Sequence, residues 1–103
     1  MKVLEQIKQE MEAQNKKWGV QRHSPVEWIA ILGEEFGEAS KEAVDHHFTK
    51  KKKLEQEFEQ MQSYQKRLHT DEQKKRLQRY REELIQVAAV AAQMVISLDA
   101  QTK

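Results

Sequence analysis

The sequence has no cysteine, one proline and three glycines in 103 residues. Without cysteine there are neither disulfides nor thiolate metal ligands, which fits a reducing compartment, and the cytoplasm is the expected location. With so few helix breakers and no alternating β-branched run, helices should dominate. A prevailing sign of charge is missing too, since 18 basic residues meet 17 acidic ones. No global field therefore draws the chain to nucleic acid or to an anionic membrane, and any electrostatic function must be local. Long apolar runs are also absent. The longest, Val87 to Ala92, falls far short of the roughly 20 residues that cross a bilayer, and Met1 to Met11 lacks the apolar segment of a secretory signal. Neither membrane nor nucleic acid is an expected partner.

The composition that is present, 38% hydrophobic in a chain of one-domain size, supports a modest all-α core, so help from a second subunit is expected. The spacing predicts four helices in a single bundle-like domain, at about 2–17, 24–47, 50–68 and 71–98. In the first, Val3 or Leu4, Ile7, Met11 and Trp18 recur at helical spacing, and Gly19 ends it. Ser24-Pro25-Val26-Glu27 opens the second with a capping box and a proline at the first helical position. Leu54, Phe58, Met61, Tyr64 and Leu68 form a narrow stripe on a polar third helix, which begins with the basic run Lys50 to Lys53. Thr70-Asp71-Glu72-Gln73 offers a second capping box for the fourth. Between Leu84 and Leu98 only Gln86, Gln93 and Ser97 are polar, so this helix should be central or lie at a subunit interface.

On the second helix Trp28, Ile29, Leu32, Phe36, Ala39 and Ala43 share an apolar arc. Glu35 falls at the arc's edge with Glu38 and Glu42 beside it, while Glu34 points further toward solvent. A carboxylate aimed at a core rim is costly unless a cation or donor meets it. On the fourth helix Glu83 borders Val90 and Met94, with Gln86 one turn on. Two such helices side by side can face Glu35 and Glu38 toward Glu83 and Gln86, an oxygen set suited to Mg²⁺. Glu-x-x-Glu also decorates many solvated helix faces. Gly33 and Gly37 lie four apart opposite the arc, each costing the helix about 1 kcal/mol relative to Ala. A close approach by another helix or a ligand would offset that cost.

The run Ile31-Leu32-Gly33-Glu34-Glu35-Phe36-Gly37-Glu38, followed later by Glu83-Leu84-Ile85-Gln86-Val87, resembles the MazG-like all-α nucleoside triphosphate pyrophosphohydrolases. Trp18-Gly19-Val20-Gln21-Arg22-His23-Ser24-Pro25 is similar to the segment before that family's acidic helix. The resemblance covers roughly half the chain. It implies a homo-oligomer, a dimer or tetramer, that cleaves a nucleoside triphosphate between its α and β phosphates with Mg²⁺. It further implies metal ligands at Glu35, Glu38 and Glu83, with Glu34 and Glu35 as the catalytic carboxylates. Gln86 stands where the family's fourth acidic ligand usually sits, and it offers an amide oxygen without charge.

Gln21, Arg22 and His23 are the candidate nucleotide contacts before the second helix. Trp28 can stack on a base or belong to the core, as can Trp18. Lys16, Arg22, Lys17 and Lys41 are candidates for phosphate neutralisation, or plain surface charges. His46 and His47 point about 100° apart on a helix and form no metal pair. Two rival readings follow: a non-catalytic nucleotide-binding or helical interaction module with a weakened metal site, and a nucleic-acid binder working through Lys50 to Lys53.

Overall fold

A computed structural model of the chain describes residues 2–52 and 63–101, with side chains placed at 2–47 and 71–101. Among the described residues the fold is all-α, with three helices: α1 (Lys2–Trp18), α2 (Pro25–Lys52) and α3 (Ser63–Gln101). Gly19 ends α1 in the left-handed region (φ 74°), and its N–H donates to the Asn15 carbonyl at 2.8 Å. A side chain would be strained there, so glycine is the residue that lets the chain turn. Five residues later the expected capping box forms. The Glu27 N–H donates to Ser24 Oγ at 3.3 Å, and the Ser24 N–H donates to Glu27 Oε1 at 3.0 Å. Those bonds hold the Glu27 carboxyl below its ordinary range, the backbone bond contributing most.

The other boundaries differ from the four-helix layout. α2 continues past His47 to Lys52, and α3 runs without a break through Thr70-Asp71-Glu72-Gln73. The stretch expected as a separate helix at 50–68 thus gives its first residues to α2 and its last to α3. Leu54, Phe58, Met61 and Lys53 lie outside the described residues. The physical reason is that nothing after Gly37 breaks a helix, since no glycine or proline follows. Thr, Asp, Glu and Gln each cost a helix interior under about 0.7 kcal/mol, so a capping box without a breaker does not start a new element. Glu72 instead pairs within the helix with Arg76 at 3.4 Å, one turn on.

α3 is the central element, with α2 and α1 each packed against it. α2 runs antiparallel to it. At one end Trp28 Nε1 donates to Ser97 Oγ at 3.3 Å; at the other Arg79 meets Glu42 at 3.5 Å and Arg76 reaches the Asp45 carbonyl. α1 runs parallel to α3, with Arg81 bonded to Gln6 and Gln93 Nε2 donating to Gln14 Oε1 at 2.7 Å. The core is thin. Among the described residues Trp28, Ala39, Ala89 and Val90 are its buried apolar side chains, and α1 contributes none. Of the apolar stripe read on α1, Ile7 and Met11 are half-buried while Val3, Leu4 and Trp18 are exposed.

The apolar arc of α2 divides. Trp28 and Ala39 turn inward, whereas Ile29 and Phe36 are 60% and 65% exposed. The molecule measures 63 × 27 × 22 Å with a radius of gyration of 18.2 Å, against about 13 Å for a compact domain of this length. A 39-residue helix rising 1.5 Å per residue, about 58 Å long, sets the long axis. By length and composition Asp71–Gln101 is also long and apolar enough to cross a bilayer, although no single uninterrupted apolar run in it is.

Candidate metal centre

The antiparallel seam between α2 and α3 brings Glu35, Glu38 and Glu83 together, one carboxylate oxygen of each lying within 4.8 Å of the others. Glu35 and Glu38 are one turn apart on α2, and Glu83 approaches from the facing turn of α3. Helical phase explains why these and not their neighbours meet. Glu34 lies one position off the seam and is exposed, at the outer edge of the cluster. Three like charges at this separation repel by on the order of 3 kcal/mol per pair at an effective dielectric near 20.

Burial, a hydrogen bond with Glu38 and the charges of Glu38, Glu35 and Glu42 push Glu83 up to about 7. Glu35 is raised as well, first by burial and then by Glu38, Glu10 and Glu34. Even so, Glu35 Oε2 and Glu83 Oε2 are buried with no hydrogen-bond partner. Two lone oxygens removed from water beside a third carboxylate are what a hard cation needs and what a protein without one tolerates poorly. Glu35, Glu38 and Glu83 are thus a set that could hold a metal ion, each offering one carboxylate oxygen.

Gln86 lines a groove between α1 and α3 with Gln9, Glu10 and Ala13. Its place beside Glu10 matters, because Glu10 adds to the field that raises Glu35. Extra negative charge toward the cluster therefore comes from α1 as well as from Glu34 and Glu42 of α2. Sequence reasoning passed over Glu10, although Gln6, Glu10 and Gln14 recur every four residues in a helix otherwise read by its apolar positions.

Next to Glu35 is a polar cleft of about 90 Å³. Gln14, Asn15, Gln21 and Gln93 supply its amides, Trp18 and Trp28 its rings, and Asn15 Oδ1 is buried there without a partner. Gln21 Oε1 accepts from His23 Nε2 at 3.1 Å, and the His23 ring meets Trp28 edge-on with centroids 4.9 Å apart. Trp28 itself is core. Trp18 is exposed and carries the Lys17 ammonium 4.8 Å above its ring. Arg22 and Lys16 are exposed on the surface. Lys41 lies at the far end of the α2–α3 seam, in a polar hollow with Glu42, Asp45, Arg76 and Arg79. His46 lies inside α2, its Nδ1 buried without a hydrogen-bond partner. The side chains of Lys50 to Lys53 lie outside the described residues.

No family model, curated protein or solved structure matches the chain.

Proposed function

We propose that the chain is a Mg²⁺-dependent nucleoside triphosphate pyrophosphohydrolase of the MazG-like kind, releasing a nucleoside monophosphate and pyrophosphate. The observation that carries this reading is the meeting of Glu35, Glu38 and Glu83 across the α2–α3 seam with two buried oxygens lacking partners. Bound there, magnesium would neutralise polyphosphate charge and polarise the phosphoryl group. Glu34, exposed beside Glu35, would orient a water and take its proton. Water attacks the α-phosphorus, the bond to the bridging oxygen breaks, and pyrophosphate leaves with that oxygen.

The amides and rings of the adjoining cleft suit a nucleoside, and Lys41 and Arg79 at the other end of the seam suit the phosphate tail. Purified protein is tested with a panel of common and deaminated triphosphates at high Mg²⁺, reading pyrophosphate. Release from at least one, lost in Glu38→Gln, supports the reading; silence across the panel overturns it. One feature favours the rival, a nucleotide-binding module without turnover: Gln86 faces the α1–α3 groove and adds no charge. Nucleotide binding without pyrophosphate release is its signature.

A further inference from the structure

The polar cleft beside Glu35 holds four carboxamides, and three of them already have partners. Gln93 Nε2 donates to Gln14 Oε1 at 2.7 Å, and Gln21 Oε1 accepts from His23 Nε2 at 3.1 Å. Asn15 is the exception, for its Oδ1 is buried with no hydrogen-bond partner. Its backbone is fixed as well. The Asn15 carbonyl accepts the Gly19 N–H at 2.8 Å, which ties down the last turn of α1 just before the chain turns toward Gln21. An acceptor taken out of water and left without a donor is destabilising, so its presence in a cleft points to a ligand that brings an N–H.

The walls narrow the kind of ligand. Trp28, 5% exposed, lines the cleft from the core together with Ile31 and Val90, and the exposed Trp18 lines it from the solvent side. Walls of this kind suit a flat aromatic ring. The cleft measures about 90 Å³, the share of about three waters at ~30 Å³ each, which is room for one ring and not for the two of a purine. Glu35 belongs both to the cleft and to the acidic cluster, so a ring seated there directs its sugar and phosphates along the seam past Glu38.

From these features we infer that the cleft selects a cytosine nucleotide, an inference that rests on the pyrophosphohydrolase reading and names the base of its substrate. Cytosine carries an exocyclic amine beside a ring nitrogen that bears no proton. Asn15 Oδ1 accepts from the amine and Asn15 Nδ2 donates to the ring nitrogen, so one amide reads both positions. Uracil has a carbonyl in place of the amine and an N–H in place of the bare nitrogen. Held in the same orientation, Asn15 meets uracil acceptor to acceptor and donor to donor.

The test compares pyrophosphate release from CTP and UTP, and from their 2′-deoxy forms, at millimolar Mg²⁺. The ratio of kcat/KM should favour the cytosine member of each pair by roughly 10- to 100-fold, the scale of one bidentate base contact. Asn15→Leu keeps the size of the side chain and removes both polar atoms, so it should bring that ratio close to one. A merely structural role for Asn15 would lower both rates together and leave the ratio standing, which overturns the inference. If the variant does not fold, calorimetry of the wild type with CMP and UMP in Mg²⁺ decides, and CMP should bind tighter by a similar factor. The two readings fail separately. Cleavage with no preference between cytosine and uracil, as an amide that turns over would give, overturns the base assignment and leaves the hydrolase standing. No release from any triphosphate, with CMP still preferred over UMP, overturns the hydrolase alone. ATP cleaved as well as CTP, or a wild type that binds neither monophosphate, also overturns the base assignment.

Discussion

The same two helices present opposite chemistry on their two sides. Toward α1, the α2–α3 seam gathers carboxylates, and burial together with their mutual repulsion raises Glu83 and Glu35 above the ordinary carboxylate range. Away from α1 the pair shows side chains with no charge to satisfy and much surface left in water. One side is poor in counter-charge and the other in cover. A cation would remedy the first and apolar cover the second. Changes on one side should leave the other nearly untouched, and that independence can be tested.

The largest effect expected on the acidic side is on turnover. Glu38→Gln should lower pyrophosphate release by at least about 100-fold, the scale of losing a metal-held transition-state contact, with helical content unchanged. Retained activity would place the metal elsewhere. Next in size is a packing change. Trp28 is 5% exposed and bonds Ser97, so Trp28→Ala should cost about 3–5 kcal/mol, read as a fall in the urea midpoint. A loss well under 1 kcal/mol would show that the thin core is not the source of stability.

A smaller effect follows from the protons. Unfolded Glu83 titrates in the ordinary carboxylate range and the folded one at about 7, so between these the native state binds more protons. Metal-free stability must then fall as pH rises through that window, and it is greatest below it as far as this group is concerned. Thermal melts from pH 5 to 8 in chelator should show a declining Tm. Millimolar Mg²⁺ should reverse the trend at the upper end, where the ligands are deprotonated. Glu83→Gln should flatten the decline and abolish the Mg²⁺ response; a mutant that declines like the wild type assigns the proton to another group.

The smallest effect concerns Gln86. Gln86→Asp adds charge to the groove that already holds Glu10, which should lower the Mg²⁺ concentration for half-maximal activity by a few-fold and slightly reduce metal-free stability. An unchanged Mg²⁺ dependence with an unchanged rate would show that Gln86 takes no part in the site. Harm to the rate without tighter metal binding would make it a residue that orders the nucleotide or Glu83.

Much of this was legible from residue order alone, because it depends on interactions a few residues long. Helical phase put Glu35, Glu38 and Glu83 on facing edges, and Ser24 with Glu27 marked the start of α2. Gly19 marked the end of α1, and the scarcity of proline and glycine announced an all-α chain. The same scarcity defeated the expected break near Thr70, since a capping box is compatible with a helix that passes straight through it. Tertiary structure alone decided which part of each apolar arc turns inward. Ile29 and Phe36 share one apolar arc with Trp28 and Ala39, and only the angle at which α2 lies on α3 separates the exposed pair from the buried one. It likewise decided that Glu10 stands toward the cluster and that Gln86 faces α1, because a residue's neighbours on another helix are fixed by crossing geometry, which a periodicity within one helix does not contain.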